Sequence, residues 1–116
     1  MALLESDPGP LVVPTLVITE VAYLLATRLS WQAEVRFLGD LANGAFLIEP
    51  LIPSDVLRVA ELVARYRDLP LGTVDASVIA AAERLGERRV ATTDHRHFRI
   101  VRPRHVDHFE LLPPRD

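Results

Sequence analysis

The feature that most constrains the fold is an apolar run at residues 76–82, broken by a single serine. Thr73 is a suitable N-cap ahead of this run, and Gly86 is a suitable terminating residue after it, so the pattern predicts a helix. A helix that is apolar on nearly every face must be buried against other elements. The strand-like residues 90–93 follow after a short turn. The unit is therefore typical of an α/β domain in which a helix covers a sheet.

An aspartate stands at each end of this unit. Asp75 falls in the first turn of the predicted helix, where the partial positive charge of a helix N-terminus favours an ionised carboxylate. Asp94 directly follows the predicted strand. The carboxyl ends of parallel strands and the amino ends of the helices share one edge of an α/β sheet, where ligands bind. We therefore expect both carboxylates to face one cleft.

The remainder of the chain continues this alternation of short apolar strands and helices. Residues 2–6 resemble the last turn of a helix, which the Pro-Gly-Pro segment at 8–10 ends. Alternating strands and helices predict a three-layer α/β/α domain with a parallel sheet, and 116 residues allow one such domain. The predicted strands are 11–13, 46–48, 90–93 and 109–112, and the predicted helices are 14–28, 31–42, 53–67 and 73–85.

Apolar and polar spacing also predicts individual side-chain environments. Tyr23 and Trp31 are assigned to the core as large apolar residues. In the helix at 53–67, spacing by three and four residues places Val56 on the buried stripe and Arg58 in water. His95 and His97, two apart around an arginine, are interpreted as solvated loop residues.

Composition excludes several classes of protein. The sequence holds no cysteine, which excludes disulfides and thiolate zinc sites and is compatible with the cytoplasm, our predicted location. Glu5 and Asp7 stand where a signal peptide requires basic and then apolar residues, so none is predicted. The longest apolar stretch, residues 11–26, contains Pro14 and Glu20 and is too short to span a membrane, so we expect no membrane partner.

The net charge of −3 is unevenly distributed. Residues 1–87 contain twelve acidic residues and six arginines, whereas residues 88–116 contain four acidic residues and seven arginines. All thirteen basic residues are arginine, which either reflects a GC-rich genome or favours bidentate contacts with phosphate groups. A basic flank beside an acidic site is typical of a phosphodiester substrate.

Three acids stand apart from the others: Glu20, Asp75 and Asp94. Glu20 is the one charge in the apolar run at residues 16–26, where an unpaired carboxylate is costly. Each acid also has an ordinary interpretation, as an ion-pair partner, a helix-start residue or a turn cap. A cluster of three carboxylates persists mainly when a cation binds it, and oxygen ligands alone suit Mg²⁺ or Mn²⁺. Such a site can polarise a phosphoryl oxygen and lower the pKa of a bound water.

Three motifs together resemble the PIN-domain family and, within it, the VapC-type toxins of toxin–antitoxin pairs. They are VVPTLVITEVAYLLATR around Glu20, LPLGTVDASVIAAAERLG around Asp75 and VATTDHRHFRIVRP around Asp94. The resemblance implies a Mg²⁺- or Mn²⁺-dependent endoribonuclease that acts on structured RNA such as tRNA or rRNA. It also implies a homodimer and inhibition by a VapB-type antitoxin.

The resemblance also assigns individual residues. Glu20, Asp75 and Asp94 match three acidic metal-binding positions of the family, and Thr92 matches a supporting polar position. Arg96 and His97 match a sequence after the last acid at which contact with RNA or antitoxin is expected.

One departure from the family concerns its opening strand, which ends in a further metal-binding aspartate. Asp7 is rejected as that residue because too few residues separate it from Glu20. We therefore expect residues 1–116 to form a single, N-terminally truncated PIN-like domain that lacks the central first strand between strands 11–13 and 90–93. The sheet would then close up, pair with another chain, or receive a strand encoded upstream.

Two alternatives to a ribonuclease toxin remain open at this point. The first is a catalytically impaired relic that keeps only the antitoxin-binding or dimerisation surface, because one acid is missing. The second is an unrelated α/β metal-dependent phosphohydrolase.

Overall fold

The computed structural model describes residues 2–5, 11–69, 71–92 and 95–112. Within these ranges the alternation of strands and helices expected of a PIN-like α/β fold is confirmed. Most element bounds lie within two residues of the predicted ones. The elements are β1 Ala2–Glu5, β2 Leu11–Pro14, α1 Thr15–Arg28, α2 Trp31–Ala42, β3 Leu47–Glu49, α3 Pro53–Arg65, α4 Thr73–Leu85, β4 Arg89–Thr92, α5 His95–Ile100 and β5 Glu110–Leu112.

The strands form one five-stranded sheet in the order β3-β2-β1-β4-β5. β2 pairs in parallel with β3, and β4 pairs in parallel with β5. β1 is antiparallel to both of its neighbours, β2 and β4. The four outer strands therefore all run in one direction, and their carboxyl ends lie at the same edge of the sheet.

The central position of the sheet is occupied by residues that the sequence analysis assigned to a helix. Ala2–Glu5 form β1, which places Leu4 opposite Val12 on one side and opposite Val90 on the other. The helix prediction for residues 2–5 was therefore wrong, and residue 6 lies outside the described residues. Isolated helical turns are marginal in water, whereas β2 and β4 each offer a row of backbone N–H and C=O groups to a strand placed between them. The expectation that no strand lies between β2 and β4 was also wrong, because β1 lies there.

The core is built around α4, as the apolar run predicted. Every residue from Ala76 to Ala82 is buried. The helix lies against β1 and β2 and also contacts α1 and α3. Gly86 adopts the left-handed conformation (φ 71°) and ends α4, which confirms its predicted role. These contacts fix α4, and with it the position of Asp75.

Four side-chain environments in α1, α2 and α3 were predicted wrongly. Tyr23 and Trp31, assigned to the core, are 68% and 66% exposed. Arg58 is buried, whereas Val56 is exposed, so the buried face of α3 is rotated from the predicted stripe. Of the helices described here, none has the length and apolar character that crossing a membrane requires.

Candidate functional site

The candidate site lies where β2 and β4 end. β2 ends at Pro14 and continues directly into α1, and β4 ends at Thr92. α4 precedes β4 with only a short turn between them, so the start of α4 returns to the edge at which β4 ends. Asp75 lies in the first turn of α4, as predicted.

A direct contact joins the start of α4 to the segment after β4. Nδ1 of His97, on α5, lies 3.6 Å from Oδ2 of Asp75. α5 begins at His95, so this contact brings the chain immediately after position 94 to the first turn of α4. Asp94 itself lies outside the described residues, and its convergence with Asp75 stays a prediction.

Glu20 lies in the second turn of α1 and is partly buried. Its helix contacts both β2 and α4, the helix that carries Asp75. Thr92 is buried as the last residue of β4, and Arg96 is exposed on α5. Within the described ranges, no three His, Asp or Glu side chains are grouped closely enough to hold a metal ion. A site formed by three acids needs Asp94, which falls outside those ranges.

The histidines of α5 were interpreted wrongly as solvated loop residues. His95 is buried, and its Nε2 has no hydrogen-bond partner among the residues described. Phe98 and Val101 are also buried, so positions 95, 98 and 101 form one inward face. Their spacing of three residues was the signal in the sequence that could have identified a helical turn here.

A buried ion-pair network supports α4 from the side of α3. Arg58 Nε donates to Glu83 Oε1 at 2.7 Å, and the backbone N–H of Arg104 donates to Glu83 Oε2 at 2.7 Å. Burial disfavours the charged form of Glu83, but these hydrogen bonds outweigh it and hold the pKa of Glu83 below its ordinary value. The hydrogen bonds that Arg58 donates to Glu83 raise the pKa of Arg58 despite its burial. Both groups therefore stay ionised at neutral pH and fix α3, α4 and the 101–104 segment together.

Comparison with known proteins agrees with the α/β fold described above. The PIN domain family matches residues 1–103 of the chain. Ribonuclease VapC26 of Mycobacterium tuberculosis is 34% identical over 110 residues, which cover 95% of this chain and 82% of VapC26.

A solved structure shows the same fold. The crystal structure of Mycobacterium tuberculosis VapC20, a toxin that cleaves the sarcin–ricin loop, superimposes with a TM-score of 0.65 at 20% sequence identity. The superposition covers 72% of this chain and 65% of the VapC20 chain. The chain therefore belongs to the PIN-domain family, as a relative of the VapC-type proteins.

Proposed function

We propose that this protein is a VapC-type endoribonuclease toxin that cleaves structured cellular RNA, such as tRNA or rRNA, in the cytoplasm. The observation that carries the proposal is the contact between His97 and Asp75. It joins the first turn of α4 to the segment that starts one residue after Asp94, at the edge where parallel strands end. The relationship to ribonuclease VapC26 over most of both chains supports the same activity.

We further propose that Glu20, Asp75 and Asp94 hold a Mg²⁺ or Mn²⁺ ion. Carboxylate oxygens are the ligands that these hard cations prefer, and a partly exposed Asp75 can offer its oxygens to the cleft. A bound divalent cation would polarise a phosphoryl oxygen and supply a water of lowered pKa. Thr92 would support the site from the end of β4, and the exposed Arg96 would contact the RNA backbone.

The proposed protein partners are a VapB-type antitoxin and a second copy of this chain. α1, α2 and the turn between them carry several large apolar side chains that are exposed to water, and exposed apolar groups of this kind mark interaction surfaces. These residues are Tyr23, Leu29, Trp31, Val35 and Leu38.

The decisive experiment is RNA cleavage by the purified protein. We expect cutting of tRNA or rRNA with Mg²⁺ or Mn²⁺, none with EDTA, and losses of at least about a hundredfold in Glu20→Gln, Asp75→Asn and Asp94→Asn. Asp68→Asn is the matched control, because Asp68 is an exposed aspartate in the turn after α3. Each variant is checked for unchanged thermal unfolding.

Other outcomes would identify the alternatives. A folded wild-type protein that binds a VapB-type antitoxin but cuts no RNA with either cation would be a catalytically impaired relic. Turnover of small phosphoesters without RNA cleavage would favour a phosphohydrolase.

A further inference from the structure

We propose that His97 is a positioning residue for Asp75, an inference that rests on the proposed function. The ring holds the Asp75 carboxylate in one orientation, so that it is presented to the cation without rearrangement. The two side chains come from different helices, α5 and α4, and are separated by the whole of β4. Their contact is therefore a product of the fold and not of local sequence.

The surroundings of the His97 ring leave Asp75 as its partner. Nδ1 is buried and makes no hydrogen bond to any described residue, and Asp75 Oδ2 lies 3.6 Å from it. The two side chains are only 19% and 23% exposed, so water competes weakly for this contact. A distance of 3.6 Å is slightly longer than a formed hydrogen bond, and such contacts shorten when a catalytic site is occupied.

The backbone of His97 is held firmly enough to act as a support. The next residue, Phe98, is buried and packs edge-on against Phe109, with ring centroids 6.2 Å apart. The carbonyl of His97 accepts a hydrogen bond of 3.1 Å from the N–H of Val101, which is also buried. Supporting groups of this type typically contribute tenfold to a hundredfold to metal affinity or activity.

The test uses two substitutions that separate the ring nitrogens. His97→Asn keeps an N–H donor near the position of Nδ1, whereas His97→Gln keeps one near Nε2, and His97→Ala keeps neither. We would measure Mn²⁺ binding by calorimetry without RNA, RNA cleavage with Mn²⁺, and RNA binding in EDTA. We expect His97→Gln and His97→Ala to weaken Mn²⁺ binding by about tenfold to a hundredfold and to lower kcat with little change in KM. His97→Asn should stay within about threefold of the wild type in both.

RNA binding in EDTA should be unchanged in all three variants, because a positioning residue does not touch RNA. Weaker RNA binding in all three would overturn the inference in favour of the RNA contact that the family resemblance implies for His97. Ile100→Ala is the matched control, since Ile100 is exposed on the same short helix. Wild-type Mn²⁺ affinity in His97→Gln and His97→Ala would overturn the inference while leaving the proposed function intact. An equal loss in His97→Asn and His97→Ala would overturn it in favour of a direct ligand role. A wild-type protein that binds no Mn²⁺ and cuts no RNA would overturn both proposals.

Discussion

The guanidinium of Arg84 is fixed against the carboxylate of Asp55, with Nε 3.0 Å from Oδ1 and Nη2 3.0 Å from Oδ2. This bidentate pair joins the last turn of α4 to the first turn of α3. Arg84 also donates to Glu49 Oε1 at 2.7 Å, at the end of β3. The hydrogen bonds that Arg84 donates to Asp55 and then to Glu49 raise the pKa of Arg84, so its guanidinium stays charged at neutral pH.

Removing the cation of this pair should be strongly destabilising. Asp55 is only 3% exposed, so Arg84→Met leaves a buried carboxylate without its partner. We expect a loss of about 3 to 5 kcal/mol in the free energy of unfolding, measured by urea denaturation. Glu110→Gln is the control, because Glu110 pairs with Arg89 at 3.5 Å on an exposed surface and should contribute less than about 1 kcal/mol. Equal effects of the two substitutions would contradict the assignment of Arg84 to a buried pair.

The pH dependence of stability should report on Glu83. Its pKa in the folded protein lies below its ordinary value of 4.5. The stabilisation from Glu83 is therefore fully present above about pH 4.5 and is lost as the pH falls through the lower, folded-state pKa. We expect the free energy of unfolding to fall more steeply below pH 4.5 in the wild type than in Glu83→Gln. Parallel curves for the two proteins would show that Glu83 does not contribute to acid unfolding.

Glu83 and Arg58 also show why the sequence predicted the helices and strands better than it predicted which of their side chains are buried. The sequence correctly predicts a helix at α3, because the apolar repeat that marks a helix can be recognised within a few turns. The partner of Arg58, however, lies 25 residues away on α4, and no local pattern connects the two. An arginine in an amphipathic helix is therefore assigned to water, although here a partner carboxylate compensates its burial.

The same limit applies to the sheet and to the candidate site. Residues 2–5 become a strand because β2 and β4 need a partner, which is a tertiary requirement that their own composition does not show. By contrast, Asp75 was correctly placed in the first turn of a helix, because charge preferences act within one turn. The predicted cap was wrong, since Gly72 and not Thr73 is the N-cap of α4. His97 could not be assigned to Asp75 from sequence, because their contact crosses from α5 to α4.

Trp31 offers a simple check of the exposed α1–α2 surface. It is the single tryptophan of the chain, so its fluorescence reports on one site. For the monomer, at dilutions at which the proposed dimer is dissociated, we expect emission close to that of an indole in water and strong quenching by acrylamide, because Trp31 is 66% exposed. Trp31→Ser should change the free energy of unfolding by less than about 0.5 kcal/mol. Leu62→Ala, at a fully buried position, should cost about 2 to 5 kcal/mol as the contrasting control. Blue-shifted, weakly quenched emission from the monomer would contradict an exposed Trp31.

Two glycines should respond in opposite directions to substitution by alanine. Gly86 has a φ of 71°, which strains any residue with a Cβ, so Gly86→Ala should destabilise the protein by about 1 kcal/mol. Gly39 lies inside α2 with nothing within 4 Å of an added Cβ. Gly39→Ala should therefore stabilise the protein by about 0.4 to 1 kcal/mol through helix propensity. Thermal unfolding of both variants provides the measurement, and shifts of the same sign would be inconsistent with these backbone conformations.

Arg99 should contribute to RNA affinity if the proposed function is correct. It is exposed on α5, three residues after Arg96 and thus on the same face, and it has no acidic partner among the described residues. RNA binding releases counterions, so the logarithm of the affinity should fall linearly with the logarithm of the salt concentration. In EDTA, which prevents cleavage, Arg99→Gln should reduce the magnitude of this slope by about 0.7 to 0.9, the loss of one phosphate contact. Arg36→Gln, at an exposed position on α2, is the matched control and should leave the slope unchanged. Equal slopes for Arg99→Gln and the wild type would place the RNA backbone away from α5.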